Sequence, residues 1–298
     1  MSFTINSEIA VCGGKLLKLS SLSKVCKTNM DVNVYVPKQY YAGSSNTIPT
    51  LYFLSGLTCT PQNASEKALW QVQADKYGFA VVYPDTSPRG DDVAKDPEGS
   101  WDFAIGAGFY VNATQAPFST HYQMYDYVHK ELPASLESFF KEKFNKTKID
   151  FVKNISISGH SMGGLGALAG FLKNYGNNVY KSCSAFAPIA DPTTVPWGQK
   201  AFTGYLGPDK KAWEEYDPCL LVKQVENTRG SEILIHVGTN DPFLYQLKPE
   251  SLTAAAKGTS WDGKISVNMV EGFDHSYYFV STFVPEHAKF HAKHLGLT

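Results

Sequence analysis

A serine becomes a useful nucleophile only when a base can take its proton and an acid can orient that base. Residues 155–169 place one serine in such a setting. They read Ile-Ser-Ile-Ser-Gly-His-Ser-Met-Gly-Gly-Leu-Gly-Ala-Leu-Ala, with Ser161 centred in Gly159-His160-Ser161-Met162-Gly163. The bare pattern Gly-x-Ser-x-Gly recurs by chance in roughly one chain in ten of this length, so its flanks decide. A β-prone run, Ile155 to Ser158, ends just before it, and an Ala- and Leu-rich helical run begins just after it. A strand-to-helix turn this tight needs small residues two before and two after the serine, which Gly159 and Gly163 provide. Gly164 and Gly166 let the helix pack closely on the sheet. The turn lifts the Ser161 hydroxyl to a helix N-terminus, where backbone N–H groups face developing negative charge.

The base and the acid should follow in the chain order Ser, Asp or Glu, His. Eight histidines are available: 121, 129, 160, 236, 275, 287, 291 and 294. Of the five beyond Ser161, His236 lies inside a predicted strand and reads as a core residue. His287, His291 and His294 recur along a terminal helix and read as surface residues. His275, in Glu271-Gly272-Phe273-Asp274-His275-Ser276, sits in a loop after an apolar strand, where ligands meet α/β sheets. For the acid, Asp241 is the first carboxylate past the run Ile233 to Val237. Asp191, Asp217 and Asp274 are its rivals, and a turn-forming Asp before Pro242 is the plain alternative.

Acyl transfer also needs donors for the oxyanion. The N–H of Met162, next after the serine, is one. The N–H of Leu57, in Leu54-Ser55-Gly56-Leu57-Thr58-Cys59 after an early strand, is the other, with Gly56 permitting the turn. Cys59 then falls near the site, where a buried bystander thiol is the expectation because no cation adjoins it in sequence.

These residues require a scaffold of alternating strands and helices. Residues 31–36 alternate strictly, as a half-buried strand does. The apolar runs 48–54, 79–83, 183–189 and 233–237 suit strands covered on both faces. Helical segments are expected over 63–77 (capped by Asn63, with Glu66 three residues on), over 122–142 interrupted by Pro133, over 162–175 ended by Gly176, and over the last 20 residues. The first thirty residues read as an antiparallel hairpin. The fold class is therefore α/β: an α/β-hydrolase fold in one domain over 1–298, with a mostly parallel mixed sheet and helices on both faces.

Composition narrows the partners. Hydrophobic residues make up 43% and charged residues 18% of 298, with a formal net charge of −1. That excludes a disordered chain and offers nucleic acid no excess of cations. The basic residues Lys141, Lys143 and Lys146 read as a solvated helix face. No apolar run nears the roughly 20 residues that span a bilayer, and the N-terminus has no signal-peptide pattern. A cytoplasmic location is expected. The cysteines, 12, 26, 59, 183 and 219, are odd in number and widely spaced, which points to neither a disulfide framework nor a zinc site. No metal is expected; His287 and His291 stand i, i+4 apart but lack a third ligand. Asn-x-Ser/Thr triplets at Asn63, Asn112, Asn145 and Asn154 read as chance.

Several blocks together resemble the S-formylglutathione hydrolase (esterase D) family, from about residue 30 to the end. They are Ser55-Gly56-Leu57-Thr58-Cys59-Thr60, Pro84-Asp85-Thr86-Ser87-Pro88-Arg89-Gly90, Ser100-Trp101-Asp102-Phe103 and Gly106-Ala107-Gly108-Phe109-Tyr110-Val111. The elbow through Gly164, Ser184-Ala185-Phe186-Ala187-Pro188-Ile189, Gly204-Tyr205-Leu206-Gly207 and Asp274-His275-Ser276-Tyr277-Tyr278-Phe279 complete the set. The resemblance implies Ser161, Asp241 and His275 as the triad and Leu57 and Met162 as oxyanion donors, in agreement with the residue-level reading. It implies hydrolysis of S-formylglutathione to formate and glutathione in formaldehyde detoxification, side activity on small aryl esters, no cofactor and a homodimer. Two positions depart from the family pattern: Pro242 stands where Gln is common, and Leu165 where His is common.

A formyl-selective enzyme needs a cramped acyl pocket. Trp197, in Val195-Pro196-Trp197-Gly198, is the candidate wall, and Arg89 or Lys200 are candidates to meet the glutathione carboxylates. The rival readings are a general small-acyl carboxylesterase or acyltransferase on the same fold, and a noncatalytic binding module.

Overall fold

The computed structural model describes residues 2–43, 46–144 and 148–298. Lys146 and the triplet beginning at Asn145 lie outside the described residues. Nine strands form one sheet in the order β1-β2-β3-β5-β4-β6-β7-β8-β9. They are β1 (Thr4–Val11), β2 (Gly14–Leu22), β3 (Asn29–Val36), β4 (Thr50–Leu54), β5 (Ala80–Pro84), β6 (Ile155–His160), β7 (Tyr180–Phe186), β8 (Ile233–Gly238) and β9 (Ile265–Val270). β1, β2 and β3 pair antiparallel, β3 joins β5 antiparallel, and every pairing from β5 to β9 is parallel. The mixed α/β sheet with its leading hairpin is thus as expected.

The apolar runs mark the middle of the sheet. Every residue of β4, β5, β6 and β8 is buried, whereas the edge strands β1 and β9 alternate between exposed and half-buried positions. That contrast follows from helices covering both faces at the centre only.

Three helices differ from expectation. The helix foreseen over 63–77 is two, Pro61–Lys67 and Trp70–Tyr77, split at Leu69, whose backbone is left-handed (φ 62°, ψ 25°). Its N-cap is Thr60, and Asn63 serves as the reciprocal partner, accepting the Thr60 N–H at 2.8 Å. Pro133 does not interrupt its helix. Tyr127–Glu131 winds with wider turns just before the segment Leu132–Phe144, and this absorbs the missing donor. The elbow helix runs Met162–Lys173, and Asn178 (φ 52°), not Gly176, takes the left-handed turn after it. The terminal helix spans Tyr277–His294. None of the described helices is long and apolar enough to cross a membrane.

Candidate active site

Ser161 is the residue between β6 and the elbow helix, and its backbone is strained (φ 59°, ψ −120°). A non-glycine residue in that region costs energy that only over-determined surroundings sustain. Those surroundings are specific. The Ser161 N–H donates to Phe186 O at 2.9 Å, and its own carbonyl accepts from Leu165 at 3.1 Å. A Cβ on Gly159 would stand 2.1 Å from Gly163 O, and one on Gly163 would stand 2.0 Å from Leu54 O. Both glycines are therefore required by close approach, as the motif predicts.

The parallel sheet brings the other two candidates to the same edge. β8 delivers Asp241 three residues after its last residue, and the loop after β9 delivers His275. His275 Nδ1 lies 2.5 Å from Asp241 Oδ2, and the Asp241 side chain has no solvent exposure. The second carboxylate oxygen accepts the Phe243 N–H at 2.8 Å. Both oxygens are thus engaged, which fixes the carboxylate against the imidazole. The His160 ring, one residue before Ser161, packs on the His275 ring with centroids 4.5 Å apart. On another side Phe243 meets His275 edge-on at 5.1 Å. Of the rival acids, Asp217 caps Pro218–Leu221 and accepts from Thr193, and Asp274 accepts from Ser276; neither partners His275.

Met162 is the first residue of its helix, so its N–H has no intrahelical acceptor. Among the described residues neither that group nor the Leu57 N–H donates to another acceptor. Gly56 has a different role from the one expected. Its φ is ordinary, and Thr58 (φ 68°) carries the turn. A side chain at Gly56 would stand 3.0 Å from Ser161 Cβ and 3.6 Å from its Oγ. Gly56 therefore keeps the space over the serine hydroxyl open.

The outer candidates divide. Burial pushes the Cys59 thiol up from its ordinary value, and its Sγ lies 3.9 Å from Tyr277 Oη. Trp197 is buried and packs on Phe243 at 4.9 Å, one ring removed from His275. Arg89 is committed elsewhere: its Nε bonds Asp85 at 2.9 and 3.1 Å, and Nη2 bonds Cys59 O at 3.0 Å. Lys200 pairs with Asp102. Leu165, one of the two departures, is a buried core residue, and Pro242 is exposed.

The histidine readings need one correction. His236 is buried, as expected, but His287 and His291 are fully buried rather than on the surface. Sequence periodicity missed this because their partners are Ser182 and Ser184, on β7, over a hundred residues earlier. Two further residues at the site were not singled out. His160 was set aside by chain order although it lies within the motif, and Phe243 follows Asp241 and Pro242 directly. The described residues hold one group with metal-ligand spacing, Asp191, Asp217 and Cys219, whose ligand atoms lie within 4.8 Å of one another. Asp217 there is already occupied as a helix cap.

Comparison with known proteins completes the picture. The Esterase family model matches residues 23–290. The S-formylglutathione hydrolase of Saccharomyces cerevisiae is 64% identical over 294 residues, covering 97% of this chain and 98% of that one. The S-formylglutathione hydrolase of Rattus norvegicus is 46% identical over 290 residues, covering 96% of each chain. The solved structure of an S-formylglutathione hydrolase from Agrobacterium tumefaciens superposes with a TM-score of 0.89 at 42% identity, covering 99% of this chain and all of the other. A shared elbow alone would reach any α/β-hydrolase, whereas identity of this extent runs through the whole chain, so the chain belongs to the S-formylglutathione hydrolase family of esterases.

Proposed function

We propose that this chain hydrolyses S-formylglutathione to formate and glutathione, with Ser161 as nucleophile, His275 as base and Asp241 as its orienting acid. The observation that carries the reading is the buried Asp241 carboxylate held 2.5 Å from His275 Nδ1, beside the strained serine of the elbow. With Nδ1 engaged, Nε2 is the nitrogen left to accept the serine proton.

Ser161 Oγ attacks the formyl carbon as His275 takes its proton, and the N–H groups of Leu57 and Met162 receive the oxyanion. Collapse of the tetrahedral adduct breaks the C–S bond. The glutathione thiolate leaves readily because a thiol pKa is only about 8.5, and it collects the proton from His275. Water, deprotonated by His275, then attacks the formyl-serine ester, and formate departs as Ser161 regains its proton. Trp197, backed against Phe243, limits acyl size by exclusion. No cofactor is required by this chemistry. A homodimer, a cytoplasmic location and a place in the removal of formaldehyde belong to the same proposal.

The test is kcat/KM for S-formylglutathione against S-acetylglutathione and p-nitrophenyl acetate, with Ser161→Ala as control. The expected result is a formyl preference of about a hundredfold, near 2.7 kcal/mol, and loss of all three activities by at least about ten-thousandfold in Ser161→Ala. A flat profile would reduce the function to a general esterase. Activity surviving Ser161→Ala would remove the nucleophile.

A further inference from the structure

We propose that the cleft between Lys67 and Tyr278 seats the glutathionyl part of the substrate, with the Lys67 ammonium meeting one of its carboxylates. This rests on the hydrolase reading above and names the part of the molecule that recognises the leaving group.

The cleft has a volume of about 470 Å³ and is lined by Lys67, Leu69, Ser276, Tyr277, Tyr278 and Ser281. That lies within the range for small-molecule sites, roughly 300–1,000 Å³. One wall is continuous with the catalytic residues. Ser276 follows His275 directly. The Tyr277 ring lies 5.6 Å from that of His160, and its hydroxyl lies 3.9 Å from Cys59 Sγ, two residues beyond Leu57. Glutathione's glycyl carboxylate is one residue from the reacting cysteine and its γ-glutamyl carboxylate is on the other side. At roughly 3.5 Å per extended residue, either is within reach of a cleft that starts at Ser276.

The charges near the site select Lys67. Arg89 and Lys200 are neutralised by Asp85 and Asp102. Lys67 is exposed and has no ion pair among the described residues. Lys67 also lies close enough to act on Cys59, where burial pushes the thiol up and the Lys67 charge works in the opposite direction. Asp274 adds an acid at the Ser276 wall, where its Oδ1 accepts both the N–H and the hydroxyl of Ser276. It leaves the site suited to a ligand that carries an ammonium beside its carboxylate, as the γ-glutamyl end does.

The apolar lining is also unusual. Leu69 is 52% exposed and Tyr278 85% exposed. Leu69 is held outward by a left-handed backbone that a leucine rarely adopts. Strain at an exposed apolar residue on a cleft wall is a feature of ligand sites.

The experiment uses S-methylglutathione, which cannot be hydrolysed by acyl transfer, as a competitive inhibitor of p-nitrophenyl acetate turnover. Its inhibition constant should weaken at least tenfold in Lys67→Glu and stay within about threefold in Lys67→Arg. The ratio of kcat/KM for S-formylglutathione to that for p-nitrophenyl acetate should fall at least tenfold in Lys67→Glu, through KM and not kcat. Tyr278→Ala, at a mostly exposed position, should weaken inhibition in the same sense. Wild-type enzyme insensitive to S-methylglutathione, or a Lys67→Glu variant with unchanged inhibition and unchanged ratio, would overturn the proposal. Lys67-dependent inhibition in an enzyme that fails to cleave S-formylglutathione would sink the hydrolase reading and leave the site standing.

Discussion

Asp241 illustrates how little room a single side chain has at this site. Its Oδ2 faces His275 Nδ1 and its Oδ1 accepts the Phe243 N–H. Asp241→Asn keeps the shape but puts an amide in the pocket, and that amide favours the wrong imidazole tautomer. The expected loss in kcat is about ten-thousandfold, with KM and Tm nearly unchanged. A loss under tenfold would take Asp241 out of the triad. His160 works at the same scale by contact. Burial drives it well below its ordinary pKa, so it stays neutral. A neutral ring packed on His275 adds no charge that would oppose the imidazolium formed during the reaction. His160 was legible only as a motif letter, because its contact is with a residue more than a hundred positions later.

Among elements, the terminal helix is the one whose position matters most, since it begins two residues after His275. Its buried face sets two histidines, His287 and His291, among apolar residues such as Phe279, Val280 and Val284. His287 Nδ1 bonds Ser184 Oγ at 2.8 Å and Nε2 bonds His236 Nδ1 at 2.9 Å, while His291 bridges Ser182 and Ser184 at 2.8 Å each. Ser156 and Ser158 on β6 extend the ladder at 2.8 and 2.9 Å. Such a network holds helix to sheet only while its histidines are neutral. Burial lowers His291 to about 3 and pushes His287 well below its usual value. The folded pKa lies below the unfolded value of about 6.5, so the unfolded chain binds more protons as pH falls. Stability is therefore complete above about pH 6.5 and is lost on acidification, by about 1.4 kcal/mol per pH unit for each such group. Denaturant midpoints measured from pH 7.5 to 4.5 should fall steeply. His291→Leu should cost about 2–3 kcal/mol at pH 7.5 and flatten that slope by one proton. An unchanged slope would mean that His291 titrates in the folded protein.

At the scale of the molecule, one sheet runs from β1 at residue 4 to β9 at residue 270. The terminal helix then returns across it to pack beside Trp70–Tyr77. The central strands β4, β5, β6 and β8 share one core, so the proposed single domain should unfold in one cooperative transition. Calorimetry showing two separable transitions would contradict that. In sedimentation the proposed homodimer should show twice the 32.9 kDa chain mass.

The amino-acid sequence alone determined the alternating α/β architecture, the elbow and the order of Ser161, Asp241 and His275. These depend on periodicity and on neighbours within a few residues, which is information the chain carries locally. Only the tertiary structure decided which polar groups are already partnered. Arg89 and Lys200 read as free cations until Asp85 and Asp102 stand beside them. His287 and His291 read as surface residues until Ser182 and Ser184 face them. Gly56 reads as a turn residue until Ser161 stands over it. Of these, only the Arg89–Asp85 pair is local in the chain. In the others a charge is neutralised, a ring desolvated or a space kept open by a residue remote in sequence. The energy of each contact depends on distance in space, which local sequence patterns do not encode.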